Sequence, residues 1–157
     1  MIRKILLFLG EMGPYFLFFL SLLLLLLNKS ILLVYYIFGF VINLFINMII
    51  KQLIKEPRPT HKYEKNFNER VKTFSADKYG MPSGHSQTIF YSFMFIHKSF
   101  NNIYLSLFYL LICANTLYQR INSGYHSINQ VLVGSIIGLI VGYIAYISSK
   151  KKLMNEL

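Results

Sequence analysis

The stretch RINSGYHSINQ, residues 120–130, places an arginine, an imidazole and an amide just ahead of a long apolar run. Two further polar clusters interrupt an otherwise apolar chain. One is KQLIKEPRP, residues 51–59, with Lys51 and Arg58; the other is MPSGH, with Ser83, Gly84 and His85. Lys51, Arg58 and Arg120 supply three fixed positive charges, the kind of cradle a phosphoryl group requires, and the planar guanidinium fork binds phosphate oxygens bidentately. A helix opening at Ser83 adds backbone N–H groups and the positive end of its dipole. Gly84 lets the backbone approach a ligand oxygen, and Ser83 contributes a hydroxyl donor. Of His85 and His126, one imidazole can attack phosphorus while the other protonates the departing oxygen. Phosphoryl transfer asks mainly for in-line positioning and charge stabilisation. Such a set needs no metal, and the few scattered carboxylates lack the spacing of a two-metal site. No metal and no other cofactor is expected.

These residues have to be held by elements that the composition defines. The chain has 157 residues, 55% of them hydrophobic, with a formal charge of +10 and a mean hydropathy of +0.48. That is one domain, residues 1–157, and its apolar runs approach the roughly 20 residues that cross a hydrocarbon core. The expected fold is an all-α polytopic membrane bundle of about five transmembrane helices, with a polar loop between spans two and three. The positive charge does not point to nucleic acid, because most of the chain is needed inside the bilayer; an anionic lipid surface or anionic substrate remains. Cys113 is the sole cysteine and forms no internal disulfide.

Span one follows the basic opening MIRK as an interfacial or tilted helix, with Pro14 at the start of its deepest part and Glu11 near the head groups. Span two covers roughly residues 31–50, span three begins near Ser83 and reaches His97, span four covers about 103–118 and span five about 127–148. Between spans two and three, residues 51–81 hold 8 of the 16 Lys and Arg and 4 of the 6 acids, which marks this segment as the main polar loop. Alternation across five spans puts the 51–82 and 119–126 loops on one face with the N-terminus, so all three polar clusters share a side. Gly134, Gly138 and Gly142 form a small-residue stripe on span five, which suits close helix packing within the bundle or, alternatively, a homodimer.

Each feature has an ordinary explanation when taken singly. A terminal Lys or Arg is usually an interfacial anchor, PSGH could be a turn and cap, and His61 and His97 read as structural. The joint arrangement on one face sets Lys51, Arg58, Arg120, His85 and His126 apart. The pattern K-x6-RP, PSGH, R-x5-H-x3-polar resembles the type 2 phosphatidic acid phosphatase superfamily of integral membrane lipid phosphatases, through residues 51–59, 82–85 and 120–130. The resemblance implies His126 as the nucleophile forming a phosphohistidine and His85 as the acid for the leaving group. It also implies Lys51, Arg58, Ser83, Gly84 and Arg120 as the phosphate cradle.

Two positions depart from that pattern. Gln119 stands where Ser is common, and Gln130 where Asp is common. Four positions apart on a helix, Gln130 shares a face with His126, and its carbonyl oxygen can accept Nδ1–H, leaving Nε2 free for attack. What the amide lacks is the charge-assisted bond to the imidazolium. EPRP, GMPS-x-HSQ and HS-x-NQVL-x-G further resemble the dolichyldiphosphatase branch, where a glutamine in that place is expected. The reading is a metal-independent phosphatase that converts a polyprenyl or dolichyl diphosphate to the monophosphate. The alternatives are a phosphatidate or other lipid monophosphate phosphatase, transfer to an acceptor other than water, or a silent protein that binds anionic lipid. The expected location is a multi-pass endomembrane position such as the endoplasmic reticulum, with the site lumenal or extracytoplasmic.

Overall fold

The structure, a computed structural model, describes residues 2–28, 30–59 and 78–155. Among these described residues five helices follow one another: α1 (Ile2–Asn28), α2 (Ser30–Ile54), α3 (Gly84–Phe100), α4 (Ile103–Asn122) and α5 (Ile128–Asn155). The all-helical bundle expected from the sequence is present. α1, α2 and α5 are long and apolar enough to cross a membrane. α3 and α4, with 17 and 20 residues, carry more polar side chains and pack among the other three.

The bundle is apolar outside and partly polar within. Phe8, Phe19, Leu27, Val34, Phe38, Leu111, Ile136 and Ile144 are exposed, and they make an outer surface suited to lipid tails. Buried among the helices are Ser21, Asn43, Asn47, Gln87, Ser92 and Thr116. In lipid, helix association gains little from hiding apolar area, so packing and interhelical hydrogen bonds hold the bundle. Tyr91 Oη donates to the Tyr36 carbonyl at 2.6 Å, Tyr36 Oη pairs with Ser92 Oγ at 2.8 Å, and Ser21 Oγ with Tyr109 Oη at 3.0 Å. Tyr36, Tyr91 and Phe95 form an aromatic centre with ring centroids 5.3 to 6.3 Å apart.

α1 runs unbroken through Pro14. Proline removes one helical hydrogen bond, and here it does so where α1 is buried against α4. Gly10 and Gly13 permit that contact: a Cβ on Gly10 would come within 2.5 Å of Gln119 Cβ, and one on Gly13 would meet Thr116 Oγ1.

The α5 glycine stripe faces α3. A Cβ at Gly134 would lie 2.5 Å from the Ser83 carbonyl oxygen, one at Gly142 2.7 Å from that of Tyr91, and one at Gly138 would collide with that of Gln87. A homodimer through Gly134, Gly138 and Gly142, held open above, is therefore corrected to packing within the chain, because the α3 backbone already fills this face. The contact also fixes where the α3 N-terminus sits over α5, and hence where Ser83, Gly84 and His85 stand.

Capping residues set the helix ends. Lys55, at φ 53°, ends α2 in the left-handed region. Ser83 caps α3, its Oγ accepting from Ser86 N–H at 3.5 Å. Asn101, also left-handed, closes α3, and the Asn102 side chain opens α4 by accepting from Leu105 N–H at 3.0 Å. His97 fits its structural reading: Nδ1 pairs with Ser106 Oγ at 2.8 Å and the ring stacks on Phe93. Gly138→Ala should lower the thermal midpoint in detergent by the equivalent of about 1–3 kcal/mol, the usual cost of overpacking. Ile144→Ala on the lipid face should change it far less. Equal midpoints for the two variants would contradict the α3–α5 contact.

Candidate functional site

The site is built where the end of α2, the start of α3, the end of α4 and the start of α5 come together. Residues 55–59 and 78–80 meet as an antiparallel pair, with Pro57 bridged to Tyr79 and Gly80 N–H donating to the Glu56 carbonyl at 2.8 Å. Ser83 N–H donates to the Gln130 carbonyl at 3.0 Å, tying the α3 cap to the first turn of α5. At the end of α4, the Arg120 carbonyl accepts from Tyr125 N–H at 3.0 Å and from His126 N–H at 3.3 Å, folding the 123–127 turn back over the helix. These backbone contacts bring the three sequence clusters into one place.

His126 lies at the centre and is only 3% exposed. One Arg58 terminal nitrogen (Nη1) stands 3.2 Å from His126 Nε2 and also donates to the Tyr125 carbonyl at 3.3 Å. The other ring nitrogen, Nδ1, is 3.2 Å from Gln130 Oε1. The Gln130 amide has a single sensible orientation. Its Nε2 faces Glu56 Oε1 at 2.7 Å and the Pro57 carbonyl at 2.9 Å, while its Oε1 accepts from Ser127 N–H at 3.2 Å. A carbonyl can only accept and a backbone N–H can only donate. Gln130 Oε1 must therefore accept from Nδ1–H, and Nε2 carries the lone pair, turned toward Arg58.

Lys51 is 4% exposed and donates to the Tyr79 carbonyl at 3.2 Å. Arg120, 6% exposed, donates to Gln119 Oε1 at 3.3 Å and lies over the Tyr125 ring at 4.3 Å. Gln119, in the place where the related pattern has Ser, thus braces the Arg120 guanidinium. Burial pushes the His126 imidazole well below its usual 6.5, and the charges of Arg58, Arg120 and Lys51 push the same way; the Gln130 hydrogen bond acts in the opposite sense. The ring is therefore neutral at physiological pH, with a lone pair available. As pH falls below about 6.5 the unfolded chain takes up this proton before the folded one, so stability declines on that side.

His85, on the first turn of α3, feels the same three cations as His126, and its ring is hydrogen-bonded to the backbone carbonyl of Glu11 on α1. All the anticipated residues, Lys51, Arg58, Ser83, Gly84, His85, Arg120, His126 and Gln130, occupy this one end of the bundle. His61 lies outside the described residues. Gly84 sits beside Asn47: a Cβ there would be 3.4 Å from Asn47 Oδ1.

From His85 a cavity of about 400 Å³ runs between α1, α2 and α3, with Gly84, Asn47 and Thr88 near the histidine and Phe18, Phe19, Phe40 and Leu44 beyond. Sequence reasoning missed three contributors. Glu56 contacts Gln130, Tyr125 supports two of the arginines, and an amide cluster links α2 to α3. In that cluster Asn47 Nδ2 donates to Gln87 Oε1 at 2.8 Å and Gln87 Nε2 to Asn43 Oδ1 at 2.9 Å. Asn43, Asn47 and Lys51 recur every fourth residue in an apolar helix, a signal that could have revealed this polar face.

Comparison with known proteins gives the family. Residues 32–154 match the PAP2 superfamily, and the chain belongs to that family. Among similar proteins are Dolichyldiphosphatase 1 of Dictyostelium discoideum, 32% identical over 111 residues, covering 64% of this chain and 44% of that protein. Dolichyldiphosphatase 1 of Homo sapiens is 34% identical over 116 residues, covering 64% and 45% respectively. Lipid A 4'-phosphatase of Porphyromonas gingivalis is 33% identical over 92 residues, covering 57% and 38%. The chain spans about half the length, or less, of these curated relatives. No solved structure matches it.

Removing one of the cations that face His126 should raise the affinity of its ring for a proton. In Arg58→Ala, NMR titration of 15N-labelled imidazole should show the His126 pKa higher than in the wild type yet still below 6.5, because burial is the larger cause. An unchanged value would mean that Arg58 does not act on the ring.

Proposed function

We propose that this protein is a membrane lipid phosphatase that removes the terminal phosphate of a polyprenyl or dolichyl diphosphate through a phosphohistidine at His126. The observation that carries the reading is the fixed tautomer of His126, with Nδ1–H on Gln130 and Nε2 facing a guanidinium. An anionic phosphoryl group entering this position would draw Arg58 onto its nonbridging oxygens, with Arg120 and Lys51 completing the positive cradle and Ser83 and Gly84 lining it. The Nε2 lone pair then forms the bond to phosphorus as the bond to the bridging oxygen breaks. The bound anion offsets the three cations at His85, which takes up a proton with the substrate and gives it to that oxygen as lipid monophosphate departs. Water, giving a proton back to His85, attacks the phosphohistidine; orthophosphate leaves and His126 is restored. Charge stabilisation and alignment supply the rate in such a scheme.

The substrate reading is supported by the cavity beside His85. The group that protonates the leaving oxygen should stand on the side where the lipid lies, and the cavity leads from His85 past Phe18, Phe40 and Leu44. A slot of about 400 Å³ suits the first part of a single hydrocarbon chain, the rest of which stays in the bilayer. The dolichyldiphosphatase relatives support a diphosphate substrate, and with it we take an endomembrane location. We further take the site end of the bundle as lumenal or extracytoplasmic, with Lys150, Lys151 and Lys152 cytoplasmic. A second reading, a lipid monophosphate phosphatase, is favoured by the relative named for lipid A.

Purified protein in detergent with EDTA should release orthophosphate from dolichyl diphosphate faster than from phosphatidate. His126→Ala should reduce release at least about 10³-fold, as expected for a lost nucleophile. A His126→Ala variant that keeps wild-type turnover would exclude the mechanism, and a preference for phosphatidate would favour the second reading. Leu44→Trp, which narrows the cavity, should raise KM for the long-chain substrate several-fold while leaving hydrolysis of a short, soluble phosphate monoester nearly unchanged.

A further inference from the structure

His126 has a neutral partner in Gln130, yet a negative charge stands directly behind that partner. Glu56 Oε1 accepts from Gln130 Nε2 at 2.7 Å, a short contact for an N–H donor, while the opposite end of the same amide accepts from His126 Nδ1 at 3.2 Å. The Pro57 carbonyl and the Ser127 N–H lock the amide in that direction. Gly80 encloses it: a Cβ there would lie within 2.6 Å of Gln130 Cδ, and the Gly80 N–H holds the Glu56 backbone at 2.8 Å. Carboxylate, amide and imidazole thus form a chain of fixed polarity drawn from the end of α2, the start of α5 and the turn before it.

We propose that Glu56 is a positioning residue for the reaction, acting on His126 through the Gln130 amide. This rests on the reading of His126 as nucleophile. When Nε2 bonds phosphorus, the imidazole ring gains positive charge while Lys51, Arg58 and Arg120 surround it, and their field opposes that gain. A carboxylate hydrogen-bonded to the far end of the amide polarises it. The Gln130 oxygen becomes a better acceptor for Nδ1–H, and the field of the three cations at the ring is partly offset. Linked hydrogen bonds strengthen one another in this way by about 10–30% each. The negative charge is supplied from outside the phosphate cradle, so the cradle itself stays positive for an anionic substrate. The charged groups facing the ring are then Arg58 from the 55–59 segment, Lys51 from α2, Arg120 from α4 and, through Gln130, Glu56.

The test compares Glu56→Gln, Gln130→Glu and the double variant in the purified full chain, with dolichyl diphosphate as probe and His126→Ala alongside. Glu56→Gln keeps the shape and the acceptor for Gln130 but removes the charge. It should lower kcat by about 10–100-fold, the range for partners one residue behind a reacting group, with KM within about twofold. The acid limb of its kcat/KM profile should move to lower pH, since the ring has lost a negative neighbour. Gln130→Glu sets two carboxylates in contact and should lose at least as much. The double variant restores one carboxylate and one amide in swapped order and should regain at least tenfold over Gln130→Glu, short of full recovery because the Pro57 carbonyl then faces an acceptor. A Glu56→Gln enzyme with unchanged kcat and acid limb would overturn the proposal, as would losses that multiply in the double variant. Activity surviving in His126→Ala would overturn it together with the nucleophile assignment, whereas an inactive His126→Ala beside a fully active Glu56→Gln rejects the relay alone.

Discussion

One side chain, Gln130, ties the whole polar end of the bundle together. Its amide nitrogen holds the segment after α2 through Glu56 and Pro57, its amide oxygen holds the turn before α5 through Ser127 and His126, and its backbone carbonyl holds the α3 cap at Ser83. Three stretches distant in sequence, at Glu56–Pro57, at Ser83 and at residues 126–130, are brought to one point by a residue with two donors and two acceptors. Being 1% exposed, its hydrogen bonds have no competition from water. Each partner lost would leave a buried polar group unsatisfied, at about 1–3 kcal/mol apiece. The geometry of the site is therefore specified more by this network than by the apolar exterior, which lipid would solvate equally well in other packings.

The close approach of α3 and α5 makes the network possible. Ser83 can reach the Gln130 carbonyl only because Gly134 lets the α3 backbone lie against α5, and the same stripe continues at Gly138 and Gly142. On the other side, Gly10 and Gly13 let α1 close on α4, which brings the Glu11 carbonyl to the His85 ring. Small residues thus set the distances between backbones, and those distances place both imidazoles in the field of the same three cations. Burial first, and these cations after it, keep His126 unprotonated despite its position beside an acceptor. An amide alone at Nδ1 orients the ring without drawing a proton onto it.

Much of this was legible in the sequence because charged and amide side chains are conspicuous in an apolar chain. Lys51, Arg58, Arg120, His85 and His126 had no apolar reason to be where they are, and alternation of spans put them on one face. Gln130 was expected at His126 as its helical neighbour; the contact is present, but His126 stands in the turn before α5, and it is the folding back of that turn, not helical periodicity, that brings the two together. Less could be read where the structure depends on which segments pair across long separations. Glu56 is 74 positions from Gln130, and their contact needs residues 55–59 and 78–80 to lie antiparallel. The glycine stripe announced a close contact without naming its partner, since periodicity defines a face and not what covers it.

The amide at position 130 is best understood through charge placement. On the proposed reading of His126, a carboxylate touching Nδ1 would stabilise a cationic ring strongly, but its charge would also reach a phosphate on the other side of that ring. With an effective dielectric of about 20, two unit charges about 4 Å apart interact by about 4 kcal/mol, and doubling the separation halves this. Moving the carboxylate back by one amide thus surrenders about half of its direct attraction for the ring. It also weakens its repulsion of the incoming anion, and the aligned amide dipole recovers part of the lost attraction through the hydrogen bonds at Glu56 and His126. A diphosphate carries more negative charge than a monophosphate, so for the substrate proposed above the balance would favour distance more strongly. Glu56 and Arg58 flank Pro57 in one short segment: the piece of chain that supplies the cation closest to Nε2 also supplies the anion behind Nδ1, and both sides of the imidazole are set by one turn of chain held against Tyr79 and Gly80.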